Sequence, residues 1–182
     1  MKNLFVISGS SGVGKGTVIK SFLEKHKDYK LSVSCTTRKP REGEIDGVNY
    51  FFLTQDEFKR CINNNDFIEW AEFSGNYYGT KKEFVENCIN KNQKLILEID
   101  TKGALNVKRL LPEAVLIFIA PPSIEELESR LRGRHTESED AIQKRLHSIK
   151  LEIENSQKFD FIITNDTVEN AVSQLEKIIL QN

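Results

Sequence analysis

A glycine-rich segment near the start of the chain has the residue types that bind phosphate groups. Residues 9–15 read GSSGVGK, which fits the pattern G-x-x-x-x-G-K, between an apolar run and a stretch with helical periodicity. Glycines allow backbone N–H groups to converge on phosphate oxygens, and the first turn of the following helix adds partial positive charge. The segment therefore predicts a nucleoside triphosphate site in which Lys15 reaches the β- and γ-phosphates. The loop pattern and the helix start give the ATP-binding residues Gly9, Ser10, Ser11, Gly12, Val13, Gly14, Lys15, Gly16 and Thr17.

The position after the lysine departs from the usual pattern. Gly16 stands where a serine or threonine ordinarily binds Mg²⁺, and Thr17 follows it. The run KLILEID places Glu98 and Asp100 at the end of an apolar segment, where either carboxylate could orient a metal-bound water or a substrate hydroxyl. We therefore expect Mg²⁺ to accompany the triphosphate, held by Thr17 or, through water, by Asp100.

A second set of charged residues lies in SCTTRKPREGEIDGVNYFF, residues 34–52. Arg38 and Arg41 lie close together in the chain, and Tyr50 follows them. Two guanidinium groups suit bidentate binding of a dianionic phosphate, and a tyrosine hydroxyl can complete the set. Taken alone, the stretch fits a solvated basic loop equally well.

Composition and charge narrow the functional class. The 182 residues carry a net charge of −1 and are 38% hydrophobic, as in one soluble domain of ordinary composition. The chain has no overall basic excess that would suggest a nucleic-acid partner. No apolar run is long enough for a signal-peptide core or a membrane span. Cys35, Cys61 and Cys88 suit neither a disulfide framework nor a zinc site, so we expect free thiols and a cytoplasmic location.

The hydrophobic pattern indicates an α/β fold. Four short apolar runs, residues 4–7, 95–99, 115–119 and 161–163, are typical of strands covered on both faces, and helical stretches lie between them. This alternation predicts a mostly parallel sheet flanked by helices. Residues 34–80 predict a small antiparallel β insertion instead, because aromatic residues alternate there with Gly and Asn. Capping boxes predict helix starts at Thr54, Thr80, Ser123 and Thr136.

A later segment, RLRGRHTESEDAIQKRL at residues 130–146, places four arginines around a break at Gly133 between two predicted helices. Transfer of a phosphoryl group between two polyanions needs positive charge and exclusion of water. Arg130, Arg134 and Arg145 therefore suit a mobile helical lid, whereas Arg132 fits a solvated position.

Taken together and in this order, the motifs resemble those of bacterial-type guanylate kinases over essentially the whole chain. The match rests on GSSGVGKGT, on TTRKPREGE at 36–44, on YFF at 50–52, on FIEWAEFSGNYYGT at 67–80 and on the arginine-rich segment. Ser10 replaces a common proline and Asn49 a frequent acidic residue, and neither position supplies catalytic chemistry.

The resemblance implies a phosphate-loop nucleoside monophosphate kinase fold that transfers the γ-phosphoryl group of ATP to GMP, and less readily to dGMP, in purine metabolism. It implies one domain over residues 1–182. Within it, the core would comprise residues 1–33, 84–122 and 147–182, the GMP-binding region residues 34–83, and the lid residues 123–146. The oligomeric state stays open.

The resemblance also implies roles for individual residues. Arg130 and Asn165 would join the ATP site, near the adenine. The GMP-binding residues would be Ser34, Arg38, Arg41, Tyr50, Glu69, Tyr78, Thr80 and Asp100. The catalytic residues would be Lys15, Arg38, Arg134 and Arg145.

The chemistry of guanine supports the role of Glu69. Guanine presents N1–H and a 2-amino group side by side, and one carboxylate accepts from both, whereas adenine lacks this pair. Glu69 has apolar and aromatic neighbours in sequence, and an unpaired carboxylate in a dry setting is costly. The hydroxyls of Ser34 and Thr80 could meet O6, although Thr80 equally fits a helix N-cap.

Two other functions are weighed against this one. A guanylate-kinase-like binding module of a scaffold protein would generally lack a working phosphate loop, which this chain has. Another small phosphate-loop kinase, acting on AMP or a sugar phosphate, would leave Glu69 and the 36–50 pattern unexplained.

Overall fold

The computed structural model describes residues 3–10, 12–73, 75–132 and 139–182, without the side chains at 126, 129–131, 140, 141, 144 and 145. The strands in these ranges are β1 (Leu4–Gly9), β2 (Tyr29–Leu31), β3 (Cys35–Thr36), β4 (Phe51–Phe52), β5 (Phe67–Phe73), β6 (Asn76–Lys81), β7 (Lys94–Glu98), β8 (Val115–Ala120) and β9 (Phe161–Thr164). The helices are α1 (Lys15–Lys25), α2 (Gln55–Asn63), α3 (Lys82–Asn90), α4 (Thr101–Leu110), α5 (Ile124–Arg132), α6 (Glu139–Ser156) and α7 (Val168–Gln181).

A five-stranded parallel sheet in the order β2-β7-β1-β8-β9 forms the core. The four apolar runs are strands of this sheet, as the sequence predicts. Alternate residues of β1 enter different clusters, with Phe5 and Ile7 on one face and Leu4 and Val6 on the other. Burial on both faces explains why these strands carry no polar alternation. The sequence pattern missed β2, a three-residue edge strand with exposed Lys30 at its centre.

Helices cover both faces of the sheet. On one face α1 and α7 pack together, because Val18, Ile19 and Phe22 of α1 point into the same cluster as the buried residues of α7. On the other face α4 packs against β1 and β8, and α6 packs against α4. No described helix combines the length and the apolar character needed to cross a bilayer.

A second sheet, in the order β4-β3-β6-β5, forms the region predicted as a β insertion. The β5–β6 and β3–β6 pairs are antiparallel, as predicted, but β3 and β4 pair in parallel. Parallel pairing requires a long crossing connection rather than a tight turn, and residues 37–50 supply it. Helix α4 of the core packs against β5, so the two sheets meet there.

The predicted helix caps have different outcomes. Thr54 forms the predicted capping box with Glu57, with hydrogen bonds in both directions at the start of α2. The prediction for Thr80 is wrong, because α3 has Lys81 at its N-cap and the Thr80 hydroxyl bonds elsewhere. Helix α5 begins directly after Ser123, whereas Thr136 lies outside the described residues.

We predict that Thr54→Ala lowers the free energy of unfolding by about 1 kcal/mol, because it removes the acceptor for the Glu57 N–H. Urea unfolding followed by circular dichroism measures this change. Gln55→Ala, at the exposed first residue of the same helix, is the matched control and leaves stability nearly unchanged. Equal stability of Thr54→Ala and the control would contradict the prediction.

Candidate active site

The glycine-rich loop lies at the carboxyl end of β1 and leads directly into α1, the context that the sequence predicts. A Cβ on Gly9 would lie 2.5 Å from the Ile119 carbonyl oxygen of β8, so only glycine fits there. Gly14 is the N-cap of α1 and has φ +90°, a conformation that disfavours other residues. The loop backbone is thereby held against the sheet, and Lys15 begins the helix. Ser11 lies outside the described residues.

Asn165 supports this loop from the same carboxyl end of the sheet, two strands away from β1. It follows β9, is 6% exposed, and its Nδ2 donates to the Val13 carbonyl oxygen at 2.6 Å. A Cβ on Gly14 would lie 2.9 Å from the same Nδ2. The side chain is therefore engaged with the phosphate loop itself. The family resemblance implies a position for Asn165 near the adenine, but it does not predict this contact, because the partners are 152 residues apart.

The two acidic residues after β7 lie in different surroundings. Glu98 approaches the start of α1, where its Oε1 lies 3.9 Å from the position of a Cβ on Gly16. Asp100 caps α4, and its Oδ1 accepts from the Gly103 N–H at 2.6 Å. Thr17 is exposed in the first turn of α1. Carboxylate and hydroxyl oxygens are the ligands that Mg²⁺ prefers, so this set has the right donor chemistry for the ion.

Arg38 is fixed by a carboxylate that the sequence interpretation did not single out. Its Nη1 and Nη2 donate to the two oxygens of Glu44, each at 2.9 Å. Both side chains are mostly buried, at 16% and 17% exposed. The guanidinium lies 5.3 Å from the centre of the Tyr50 ring, which packs edge-on against Tyr78 at 6.2 Å. The structure thus brings Arg38, Tyr50 and Tyr78 together and adds Glu44 to them.

Glu44 also connects the second arginine to this cluster. Its Oε2 accepts from the backbone N–H of Arg41 at 2.8 Å, while Arg41 as a whole is exposed. Hydrogen bonds from Arg38 and from the Arg41 backbone hold the pKa of Glu44 below its ordinary value. The Glu44 hydrogen bonds, in turn, raise the pKa of Arg38. The pair is therefore fully ionised at neutral pH.

Glu69 is a buried carboxylate in β5, directly opposite Thr80 in β6. It is 7% exposed, and its Oε1 accepts from the Thr80 hydroxyl at 2.7 Å. Burial raises the pKa of Glu69 to about 7, and the negative charge of Asp100 contributes to the shift. The Thr80 hydroxyl is thus used for Glu69 and not for a helix cap. A carboxylate in this setting gains strongly from further hydrogen-bond donors.

The remaining predicted residues connect these groups or lie outside the description. Burial and the Glu98 charge raise the pKa of Tyr50, so the loop side and the arginine side of the site interact electrostatically. Ser34 precedes β3, and its carbonyl oxygen accepts from the Phe51 N–H at 2.9 Å. The side chains of Arg130 and Arg145, and the whole of Arg134, lie outside the described residues.

Arg132 is exposed, in keeping with the solvated position expected of it, and it also forms ion pairs. It donates to Glu128 of α5 and to Glu139 of α6, each at 2.8 Å, and so joins the two helices. The hydrogen bonds from Arg132 lower the pKa of Glu139 to about 2.

Comparison with known proteins identifies the family. The family model described as guanylate kinase matches residues 1–182. The guanylate kinase of Caldanaerobacter subterraneus subsp. tengcongensis is 51% identical over 177 residues, which cover 97% of this chain and 86% of that protein. The guanylate kinase of Prochlorococcus marinus subsp. pastoris is 49% identical over 179 residues, covering 98% and 97%.

A solved structure agrees with these sequences. The crystal structure of guanylate kinase from Anaplasma phagocytophilum has 32% sequence identity and a TM-score of 0.81, and the match covers 98% of this chain and 84% of that one. Fold, sequence and the whole-chain family match therefore agree, and this chain belongs to the guanylate kinase family.

Proposed function

We propose that this chain transfers the γ-phosphoryl group of ATP to GMP, giving ADP and GDP. The observation that carries the proposal is the buried carboxylate of Glu69, in the small sheet that also carries Tyr78 and next to whose strands β3 and β4 Arg38 and Tyr50 lie in the chain. A single antiparallel strand, β6, provides both Tyr78 and Thr80. One sheet can therefore read the base with Glu69 and Thr80 and bind the phosphate with the arginine cluster.

Glu69 supplies the selectivity for guanine. Its carboxylate accepts from N1–H and the 2-amino group together, which repays the cost of keeping the charge buried. An adenine base would present no such pair and would leave the carboxylate unpaired, so AMP is rejected. Ser34, Thr80 and Asp100 complete the surroundings of the base and ribose.

Arg38, Arg41, Tyr50 and Tyr78 bind the GMP phosphate. Glu44 holds the Arg38 guanidinium in one orientation over the Tyr50 ring before substrate arrives. A pre-oriented guanidinium loses less side-chain entropy when it binds an anion. This fixed geometry has a disadvantage, because the negative charge of Glu44 neutralises part of the positive charge that Arg38 offers to the phosphate.

ATP occupies the loop of residues 9–15, where the backbone N–H groups and Lys15 hold its β- and γ-phosphates. Asn165 keeps the loop in its binding conformation through Val13. Thr17, Glu98 and, through water, Asp100 would hold Mg²⁺. When bound, the ion supplies neutralisation of negative charge on the transferring phosphates.

The reaction requires neither a protein base nor a covalent intermediate. An oxygen of the GMP phosphate forms a bond to the γ-phosphorus as the bond to the bridging oxygen of ADP breaks, so catalysis consists of positioning and charge stabilisation. We assign residues 34–83 to GMP binding and residues 123–146 to a lid. Arg134 and Arg145 would bring positive charge to the phosphates, and Arg130 would lie along the adenine.

The alternatives have less support. A non-catalytic binding module has no use for an intact phosphate loop braced by Asn165. A kinase for AMP would place a buried carboxylate opposite a base that cannot pair with it. A cytoplasmic location fits the free thiols of Cys35, Cys61 and Cys88.

Acceptor titration with ATP fixed tests the proposed function. We expect ADP formation, followed by a coupled assay, to saturate with GMP, to be slower with dGMP, and to be negligible with AMP. The reason is that only guanine provides the paired donors for Glu69. Comparable kcat/KM values for AMP and GMP would overturn the proposal.

Removal of the two central cations tests the catalytic assignment. We expect Lys15→Met and Arg38→Ala each to reduce kcat by orders of magnitude, because they remove charge that stabilises the transferring phosphoryl group. The exposed neighbours supply matched controls, Lys20→Met for the first and Lys39→Ala for the second. Circular dichroism checks that the fold is intact. Near-normal turnover in either variant would remove that residue from the mechanism.

The raised pKa of Glu69 predicts a pH dependence of GMP binding. Below about pH 7 the carboxyl is protonated and can no longer accept from both guanine donors. We therefore expect KM for GMP to fall by up to about tenfold between pH 6 and pH 8. Glu69→Gln loses this pH dependence and binds GMP weakly throughout, and it serves as the reference for ionisation of GMP itself. Parallel pH profiles in the two proteins would contradict the prediction.

The same shift has a consequence for stability. The folded pKa lies above the ordinary value of 4.5, so ionisation of Glu69 opposes folding. The penalty is absent below pH 4.5 and is complete above pH 7, where it is on the order of 3 kcal/mol. The midpoint temperature of thermal unfolding is therefore expected to be higher for Glu69→Gln than for the unchanged protein at pH 8, with a smaller difference at pH 5.

A further inference from the structure

We propose that Gly103 is a positioning residue for guanine selection: the absence of a side chain at residue 103 allows the Glu69 carboxylate to take its binding position. This inference rests on the proposed function, which assigns Glu69 to the base. It adds a residue from within the core helix α4 to a base site otherwise built from the small sheet and its neighbouring residues and from Asp100, the N-cap of that helix.

The distance between Gly103 and Glu69 carries the proposal. A Cβ on Gly103 would lie 2.6 Å from Oε2 of Glu69 and 3.3 Å from its Cδ. Side-chain carbons do not approach a carboxylate oxygen that closely without repulsion. Glu69 therefore occupies space that any other residue at position 103 would take.

The other oxygen of the carboxylate is fixed independently. Oε1 accepts from the Thr80 hydroxyl at 2.7 Å. The carboxylate thus lies between β6 on one side and the first turn of α4 on the other. With both sides defined, its plane and depth in the site are set before a base arrives, which is the preorganisation that recognition requires.

Gly103 also contacts the second carboxylate near the proposed base. Its N–H donates to Oδ1 of Asp100 at 2.6 Å, and a Cβ would lie 3.3 Å from that oxygen. The same glycine therefore lies next to both acidic side chains and donates a hydrogen bond to one of them.

The fold does not itself require glycine at this position. Gly103 lies within α4 with no left-handed φ, so alanine can adopt its backbone conformation. In an α-helix alanine is favoured over glycine by about 1 kcal/mol. The nearest atoms to the added Cβ belong to the carboxyl ends of Glu69 and Asp100 and not to the backbone. A methyl group here is accordingly expected to displace the carboxylate and leave the fold intact.

Gly103→Ala tests the proposal with steady-state kinetics and thermal unfolding. We expect KM for GMP to rise on the order of tenfold, with KM for ATP and the unfolding midpoint maintained. The preference for GMP over IMP, which lacks the 2-amino group, should fall, because the displaced carboxylate no longer meets both donors. Asn106→Ala, an exposed position on the same helix, is the matched control and should change none of these values.

A double-mutant cycle separates this role from a general disturbance of α4. In a Glu69→Ala background there is no carboxylate to displace, so adding Gly103→Ala should leave KM for GMP where Glu69→Ala alone puts it. An equal rise in both backgrounds would overturn the proposal, since Gly103 would then act without Glu69. A Gly103→Ala protein that does not fold would also overturn it.

The outcomes distinguish this inference from the proposed function. If the unchanged protein does not phosphorylate GMP, the proposed function fails. If it does, and Gly103→Ala keeps the same KM for GMP and the same preference over IMP, only the positioning role of Gly103 fails.

Discussion

The proposed base site depends on an ionised carboxylate, that of Glu69, in a buried environment from which water is largely excluded. Glu69 is almost fully buried, and its surroundings resist ionisation strongly enough to raise its pKa to about 7. In the proposed function that cost to folding is the source of selectivity, because a ligand with two adjacent donors would relieve it. The Thr80 hydroxyl holds the group in position, but a single hydrogen bond does not satisfy an ionised carboxylate.

The two sheets position the candidate site residues in different ways. In the parallel sheet the carboxyl ends of β1, β7 and β9 lie at one edge, so the phosphate loop, Glu98 and Asn165 gather there, as expected for open α/β sheets. In the small sheet the candidate residues lie along the strands instead of at their ends, because antiparallel pairing places Glu69 opposite Thr80 and Thr36 opposite Tyr78. Helix α4 connects the two arrangements.

The features that were predicted correctly from the sequence are those that residues close together in the chain determine. The apolar runs of the core strands, the phosphate loop and the Thr54 cap could be read from the sequence because each depends on neighbouring residues. Thr80 shows the limit of such predictions. The sequence Thr-Lys-Lys-Glu fits a helix cap, but in the folded chain the Thr80 hydroxyl donates to Glu69 on the neighbouring strand. Glu44, Gly103 and the contact of Asn165 were missed for the same reason. Their roles arise only when separate segments approach in the folded chain.

The link between Asn165 and the phosphate loop makes the loop depend on a distant part of the chain. The hydrogen bond to Val13 comes from a residue 152 positions further along the chain, directly after β9, which is an edge strand of the parallel sheet. A change that loosens β9 would therefore remove the donor to Val13 and leave that part of the loop without its hydrogen bond. Damage at the edge of the sheet can thus reach residues 9–15 without altering any of them.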